Sequence, residues 1–329
     1  MTLALAITGP TGAGKTALSL GVAKALGAQI LSLDSMQIYR GMDIGTAKAT
    51  EAERATVPHH LIDILDPGEH FSVHDYEERA LATVSELEAR GHLALFVGGT
   101  GLYLESLKRV MPPDIPESDP AFLETLARRF PSEGGDLDRD ALWECLRTVD
   151  PDSAEKIHKN NLRRVARALE IYETTGRTKT EHDALSQQTP PRLCVAQLTL
   201  DFHSRETLYS RIETRVDQMM AEGLLDECTR LWRDGVFDRD STARQAIGYK
   251  ELLPHLESGA PLDLCISELK TATRRYAKRQ LTWFRHLSGV HTLYLDREDG
   301  TMRPGEEVLA EALAYFTDSI RNHAAKSTV

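Results

Sequence analysis

The stretch Gly9-Pro10-Thr11-Gly12-Ala13-Gly14-Lys15-Thr16 constrains this chain more than any other. It follows an apolar run from Leu3 to Ile7. It precedes a helical pattern that places Leu18, Val22, Ala25 and Leu26 on one face and stops at Gly27. Strand, glycine turn and helix in that order, with G-x-x-x-x-G-K-T spacing, build a loop whose backbone N–H groups converge on an anion. The first turn of the following helix adds unpaired donors and the positive end of its dipole. Polyphosphate is the expected guest, with Lys15 reaching its terminal oxygens and the Thr16 hydroxyl holding magnesium. The loop specifies phosphate without specifying the reaction.

A chain of 329 residues is long for one core, so a main domain with an insert or second lobe is expected. No apolar run approaches the ~20 residues that span a bilayer, and no basic segment precedes the first strand. The reading is cytoplasmic. Cys145, Cys194, Cys228 and Cys265 lie far apart with no C-x-x-C spacing, which argues against a disulfide framework and a zinc site. A net charge of -11 argues against a protein that coats nucleic acid unspecifically. Two basic islands stand against that background. Lys270, Arg274, Arg275, Lys278, Arg279 and Arg285 share a stretch without an acidic residue, and Lys159, Arg163, Arg164 and Arg167 form the second.

Further short strands are expected at Gln29–Leu33, Leu93–Val97 and Leu193–Leu200. Open parallel sheets bind ligands at the carboxyl ends of their strands, so Asp34 is expected to face the crevice that holds the phosphate loop. A turn or helix cap is its alternative role. Residues 34–48 read as a loop over that site. His59 and His60 read as hydrogen-bonded structural histidines beside a short strand, and Ser72 to Asp75 as a capping box opening a helix. Gly98-Gly99-Thr100-Gly101 stands where many P-loop enzymes carry a Walker B aspartate. Its glycines fit either a close approach to ligand, with Thr100 as donor, or a tight strand-to-helix turn.

From Pro112, Pro113 and Pro116 to Pro190-Pro191 the pattern is helical, with segments at Ala121–Phe130, Arg139–Val149 and Asn161–Thr175. The expected fold is therefore α/β, a P-loop NTPase-like parallel sheet flanked by helices, formed by 1–114 and 191–329 with an all-helical insert at 115–190. In the helix carrying Leu208, Ile212, Val216, Met219 and Met220, Arg211 and Arg215 stand side by side, suited to an anion or to a solvated face. Helices follow at Leu224–Trp232, Gln245–Leu256 and Leu264–Leu287. The last interleaves its cations with Tyr276, Trp283 and Phe284, as an RNA-binding helix does, or a charged helix with a buried aromatic edge. Residues after Asn322 read as disordered.

The phosphate loop, Asp-Ser-Met-Gln-Ile-Tyr-Arg-Gly-Met-Asp-Ile-Gly-Thr-Ala-Lys at 34–48 and Gly-Gly-Thr-Gly-Leu-Tyr at 98–103 resemble the bacterial tRNA dimethylallyltransferases. So do Arg-Ala-Leu-Glu at 167–170, Arg-Ile-Glu-Thr-Arg at 211–215, Gly-Tyr-Lys-Glu at 248–251 and the run Thr273–Arg285. The resemblance covers nearly the whole chain in the family's order, least specifically at 115–158 and the tail. It implies transfer of a dimethylallyl group from its diphosphate to N6 of the adenosine at tRNA position 37, beside the anticodon. Asp34 is then the candidate general base. The loop from Gly9 to Thr16, Arg211 and Arg215 are the candidate diphosphate ligands, with magnesium at Thr16. Ser35, Met36, Gln37 and Thr100 would meet the target base, Gln37 reading its edge. Arg163, Arg164, Arg167, Arg275, Lys278 and Arg279 would contact phosphates of the anticodon stem-loop. No cysteine pair follows the basic helix, so no zinc finger is implied, and a monomer is expected. The residues alone leave one enzyme alternative, a P-loop small-molecule or nucleotide kinase using ATP, with Asp34 as base for a hydroxyl acceptor.

Overall fold

Short apolar runs that end in turn residues become the strands of one sheet in the computed structural model, which describes residues 1–109, 115, 118–119, 121–132, 134, 136–238 and 242–327. Pro112, Pro113, Pro116 and the expected border at 114 lie outside the described residues. The chain divides into two units, Met1–Glu105 with Leu193–Val329, and Ser106–Arg192.

The first unit opens with β1 (Thr2–Thr8), α1 (Lys15–Leu26), β2 (Ala28–Leu33), α2 (Glu51–Thr56), β3 (His59–His60), α3 (Val73–Ala89) and β4 (Leu93–Gly98), from which α4 (Gly101–Lys108) leads. The second unit is helical: α5 (Phe122–Arg129), α6 (Arg139–Val149), α7 (Pro151–Lys156), α8 (Leu162–Thr175) and α9 (Lys179–Gln188). The chain returns through β5 (Leu193–Asp201), α10 (Arg205–Ala221), α11 (Leu224–Arg233), α12 (Leu253–Ser258), α13 (Leu262–Arg285), β6 (His291–Tyr294) and α14 (Gly305–Ser327).

All six strands are parallel, in the order β3-β2-β4-β1-β5-β6. The chain leaves β1 toward β2 and later crosses to β5 on the other side. The carboxyl ends of β1 and β4 therefore form the switch point where ligands enter such sheets. β1 is fully buried from Ala4 to Thr8, because helices cover both faces of a parallel sheet. Its core joins Leu5 and Ile7 to Val22 of α1, Leu208 and Ile212 of α10, Ala277 and Leu281 of α13 and Phe316 of α14. A second cluster packs Ile38, Tyr39 and Met42 of the loop after β2 against α10, α11, α12 and α13.

The expected punctuation recurs in detail. Gly27 caps α1 in the left-handed conformation, and Ser72 and Asp75 form a capping box for α3. His59 bonds the Val57 carbonyl at 2.7 Å and His60 the Gln29 side chain at 2.8 Å. Several expectations need correction. The buried face of α1 runs through Ser19 and Ala23, and Ala25 points outward. The helix expected at Gln245–Leu256 is instead a 3-10 turn at Thr242–Gln245, a series of turns, and α12. Gly248 at φ +109°, where a Cβ would lie 3.3 Å from the Gly45 carbonyl oxygen, breaks the continuous helix. The tail after Asn322 continues α14 to Ser327, held by the apolar face that buries Val308, Ala312 and Phe316. Strand β6 had no counterpart among the expected strands.

Candidate active site

The loop between β1 and α1 takes the conformation its glycines permit. Gly9, Gly12 and Gly14 have φ of +143°, +81° and +79°, angles that other residues adopt only under strain. Lys15 folds back over the loop, its Nζ donating to the carbonyls of Gly9 at 3.0 Å and Pro10 at 2.8 Å. Burial, with Arg215 nearby, brings its pKa down to about 7 against the opposing pull of Asp34. The Thr16 hydroxyl makes no hydrogen bond among the described residues and lines the cleft described below.

At the end of β2, Asp34 has two faces. Its Oδ1 accepts from the backbone N–H of Met36 at 2.8 Å and Gln37 at 3.3 Å, so the capping role is real. Its Oδ2 takes no bond from the described residues, and Asp34 lines the same cleft as Gly12, Lys15 and Thr16. That cleft, of about 510 Å³, also reaches Arg215 of α10 and Arg275, Tyr276 and Arg279 of α13. Burial lowers the pKa of Arg215 from its ordinary value, with Asp34 and Glu222 pulling it back up. Ile30, Met36, Val97, Val216 and Met219 give the cleft apolar wall. A carboxylate, two half-buried cations, free amide donors and apolar surface thus share one hollow.

The remaining candidates divide. Ser35 and Met36 line the cleft. Gln37 does as well, but its amide is committed to the loop, accepting from Ser32 at 2.8 Å and donating to the carbonyls of Thr46 at 3.1 Å and Ala47 at 3.3 Å. Arg211 is outside the cleft lining and donates through Nε to the Gly12 carbonyl at 3.0 Å, buttressing the loop from behind. Thr100 is likewise outside the lining, beside the Tyr276 phenol. The glycines around it make close protein contacts, and Gly98 and Gly99 also line the cleft. A Cβ on Gly98 would lie 2.3 Å from the Leu33 carbonyl oxygen, on Gly99 1.9 Å from Gln280, and on Gly101 2.1 Å from the Trp283 ring.

The basic islands also split. On α13, Lys270 pairs with Asp217 at 2.6 Å, Arg274 with Glu213, and Arg285 with Asp201 through two bonds of 2.8 Å. Arg275, Lys278 and Arg279 are exposed and make no ion pair among the described residues; Arg279 lies 5.6 Å over the Tyr276 ring. In the helical unit, Arg163 and Arg164 are exposed, whereas Arg167 pairs with buried Glu170 at 2.6 Å. Glu170 also accepts the Asp119 N–H, so this arginine is part of the internal structure of α8.

Two residues absent from the sequence-based candidates organise the site. Glu227 of α11 accepts N–H bonds from Asp43, Ile44 and Gly45 at 2.9–3.0 Å and the Tyr249 hydroxyl at 2.6 Å, pinning the loop after β2. Gln280 of α13 accepts the Thr11 N–H at 2.9 Å and donates to the Gly99 carbonyl at 3.1 Å. Each is a polar residue inside an apolar helical stripe, Leu224-Glu227-Cys228-Leu231 and Ala277-Gln280-Leu281-Phe284. That placement was the available signal, since a buried polar group requires partners.

A glycine loop and a carboxylate open on one cleft at the switch point of a parallel sheet flanked by helices, the P-loop-like fold in which ligands enter at that place. The chain belongs to the IPP transferase family, whose model matches residues 37–287. It is 48% identical over 280 residues to the tRNA dimethylallyltransferase of Bacillus velezensis, covering 85% of this chain and 87% of that one. It is 41% identical over 291 residues to that of a Thermoanaerobacter species, covering 88% and 91%. Among solved structures it is similar to the tRNA isopentenylpyrophosphate transferase of Bacillus halodurans, with a TM-score of 0.71 and 39% identity over 100% of this chain and 99% of the other. A eukaryotic dimethylallyltransferase acting on tRNA gives 0.76 and 30%, over 92% and 74%. These relatives support the transferase reading and leave the kinase alternative without support.

Proposed function

We propose that this protein transfers a dimethylallyl group from dimethylallyl diphosphate to N6 of the adenosine beside the anticodon of tRNA, releasing diphosphate. The observation that carries the reading is the common cleft of the phosphate loop and Asp34. An adenine amine is a weak nucleophile because the ring withdraws its lone pair, so removal of its proton as the new bond forms lowers the barrier. Asp34 is held by two backbone amides at Oδ1 and keeps Oδ2 for that proton. As N6 bonds the allylic carbon, the carbon–oxygen bond breaks and its electrons pass to the diphosphate. The loop amides, Lys15 and Arg215 face that growing charge in a buried setting where electrostatic stabilisation is strong.

A magnesium ion fits the same place. The described residues hold no cluster of three His, Cys, Asp or Glu side chains, and the Thr16 hydroxyl is unengaged. That donor set suits an ion carried in by phosphate oxygens and water. Bound there, magnesium would neutralise charge on the diphosphate. The target adenine must leave its stack to enter the cleft. Arg275, Lys278 and Arg279 stand free along α13 for the RNA phosphates, at and beside the cleft.

The test is incubation with dimethylallyl diphosphate, magnesium and unmodified tRNA, followed by nucleoside analysis. Dimethylallyl-adenosine is expected from the wild type, and Asp34→Asn, which retains an oxygen for the cap, should lose about 10²–10⁴ in rate while binding tRNA normally. ADP release from ATP with a small acceptor, and no modified nucleoside, would replace this reading.

A further inference from the structure

Helix α13 does two things at once. Outward it carries Arg275, Lys278 and Arg279; inward it sends one amide between two turns of the sheet. Gln280 is 5% exposed. Its Oε1 takes the Thr11 N–H from the phosphate loop, and its Nε2 reaches the carbonyl of Gly99 after β4. The fit is close enough that any side chain at residue 99 would overlap it. Both turns line the cleft, as does Gln280 itself.

From this geometry we infer that Gln280 is a positioning residue for the phosphate-bearing substrate, its amide fixing the entry of the phosphate loop against the β4 turn and so setting the shape of the diphosphate cradle. The inference rests on the reading of Gly9–Thr16 as that cradle. The physical grounds are local. Pro10 has no N–H, so Thr11 supplies the first donor inside the loop after Gly9. Gln280 takes that donor out of competition and fixes the plane of the peptide bearing it. The amides that follow are left to converge on the anion. A residue with hydrogen-bonding groups at both ends of one planar amide is required; an apolar residue of the same length fills the space and ties neither turn. Because Gln280 rides on the helix whose other side bears the unpaired cations, the cradle and the RNA-facing surface have one rigid element in common.

The test is binding of magnesium diphosphate, by calorimetry on the full chain, to wild type, Gln280→Met and Leu281→Ala. Leu281, the next residue, is buried in the core and has no polar group with which to tie either turn, so its truncation reports loss of packing around α13 without loss of a hydrogen bond. Gln280→Met should weaken diphosphate binding about tenfold and raise KM for dimethylallyl diphosphate by a like factor, the scale of one buried hydrogen bond left unmade. Its affinity for tRNA should stay within about twofold of wild type on the same ground, because no RNA-facing group changes. Leu281→Ala should lower the melting temperature yet hold diphosphate as wild type does. Equal diphosphate affinity in wild type and Gln280→Met, or a loss matched by Leu281→Ala, would overturn the inference. A wild type that binds no magnesium diphosphate would overturn the cradle reading, and this inference with it.

Discussion

At the end of β1, three glycines take positive φ, and the turn they make leaves its amides and Lys15 facing a cleft. At the end of the neighbouring β4, Thr8 and Gly98 being partners in register, three more glycines take ordinary φ, and Leu33, Gln280 and Trp283 press against them. One turn needs glycine for its dihedral angles, the other for room. The sequence signature is similar and the reasons differ: the first turn is shaped by its own dihedral angles, the second by the protein packed against it, and both border the cleft. A glycine-rich turn after a strand therefore marks close approach of something, and only the surrounding packing decides whether that something is a ligand.

Substitutions in the two turns should separate these roles. The largest effect is expected from Lys15→Ala in the first, a loss of about 10³ in kcat/KM, the scale of removing a preorganised charge from a developing anion. Melting temperature should hold or rise slightly, since a buried lysine with a depressed pKa contributes no stability in its charged form. Gly98→Ala in the second should do the reverse. Its methyl has to displace the Leu33 backbone, so a cost of about 3 kcal/mol in unfolding free energy is expected. Whatever fraction folds should bind diphosphate normally. Denaturant unfolding and calorimetry on both variants measure the two effects. A Gly98→Ala protein of unchanged stability that fails to bind diphosphate would erase the distinction between the turns.

The charge on Lys15 sharpens the same contrast. Its pKa of about 7 in the free protein means that it is half neutral near neutrality, whereas diphosphate favours the charged form. The sign follows: below pH 7 the lysine is already charged and binding takes up no proton there, and above pH 7 each binding event must first protonate it. Diphosphate affinity should fall about tenfold per pH unit between pH 7 and 9, with uptake of close to one proton, measured by calorimetry in buffers of different ionisation enthalpy. In Lys15→Arg, which stays charged throughout, that slope should vanish. The second turn, Gly98 to Gly101, carries no titrating group, so nothing in it contributes to that slope.

How far the fold could be read from sequence differs along the same lines. β1, β2, β4 and β5 were legible because each is a short apolar run ended by a turn signal, and α5, α6 and α8 because their apolar spacing is a local feature, whereas the shorter α7 and the polar α9 were not singled out. The 34–48 loop was legible as lying at the site, but what holds it was not. Glu227 lies far along the chain from the amides of Asp43, Ile44 and Gly45, and no local pattern announces such a partnership. Buried Lys48 is similar, donating to Tyr39, Asp43 and Asp63 within 2.6–2.8 Å. β6 was missed because His291–Tyr294 is four residues of mixed polarity, a strand by virtue of pairing with β5. Arg167 was placed with Arg163 and Arg164 because spacing shows which cations are neighbours, and says nothing of Glu170 taking one of them.

The smallest expected effect concerns the helix that closes the second turn. Of the six cations from Lys270 to Arg285, three are neutralised by Asp217, Glu213 and Asp201, leaving Arg275, Lys278 and Arg279 exposed. Lys278→Ala with Arg279→Ala should weaken tRNA binding about tenfold at physiological salt and reduce the slope of log affinity against log salt by about 1.5, the signature of two lost phosphate contacts. Lys270→Ala should leave that slope unchanged, because its charge is already spent on Asp217. Neither change touches Gln280 or Trp283, so the second turn stays closed and diphosphate affinity without RNA should not move. Filter binding across a salt series reads both quantities. A salt slope that shifts with Lys270 and not with Lys278 and Arg279 would mean that RNA approaches α13 from its α10 side, away from the cleft mouth.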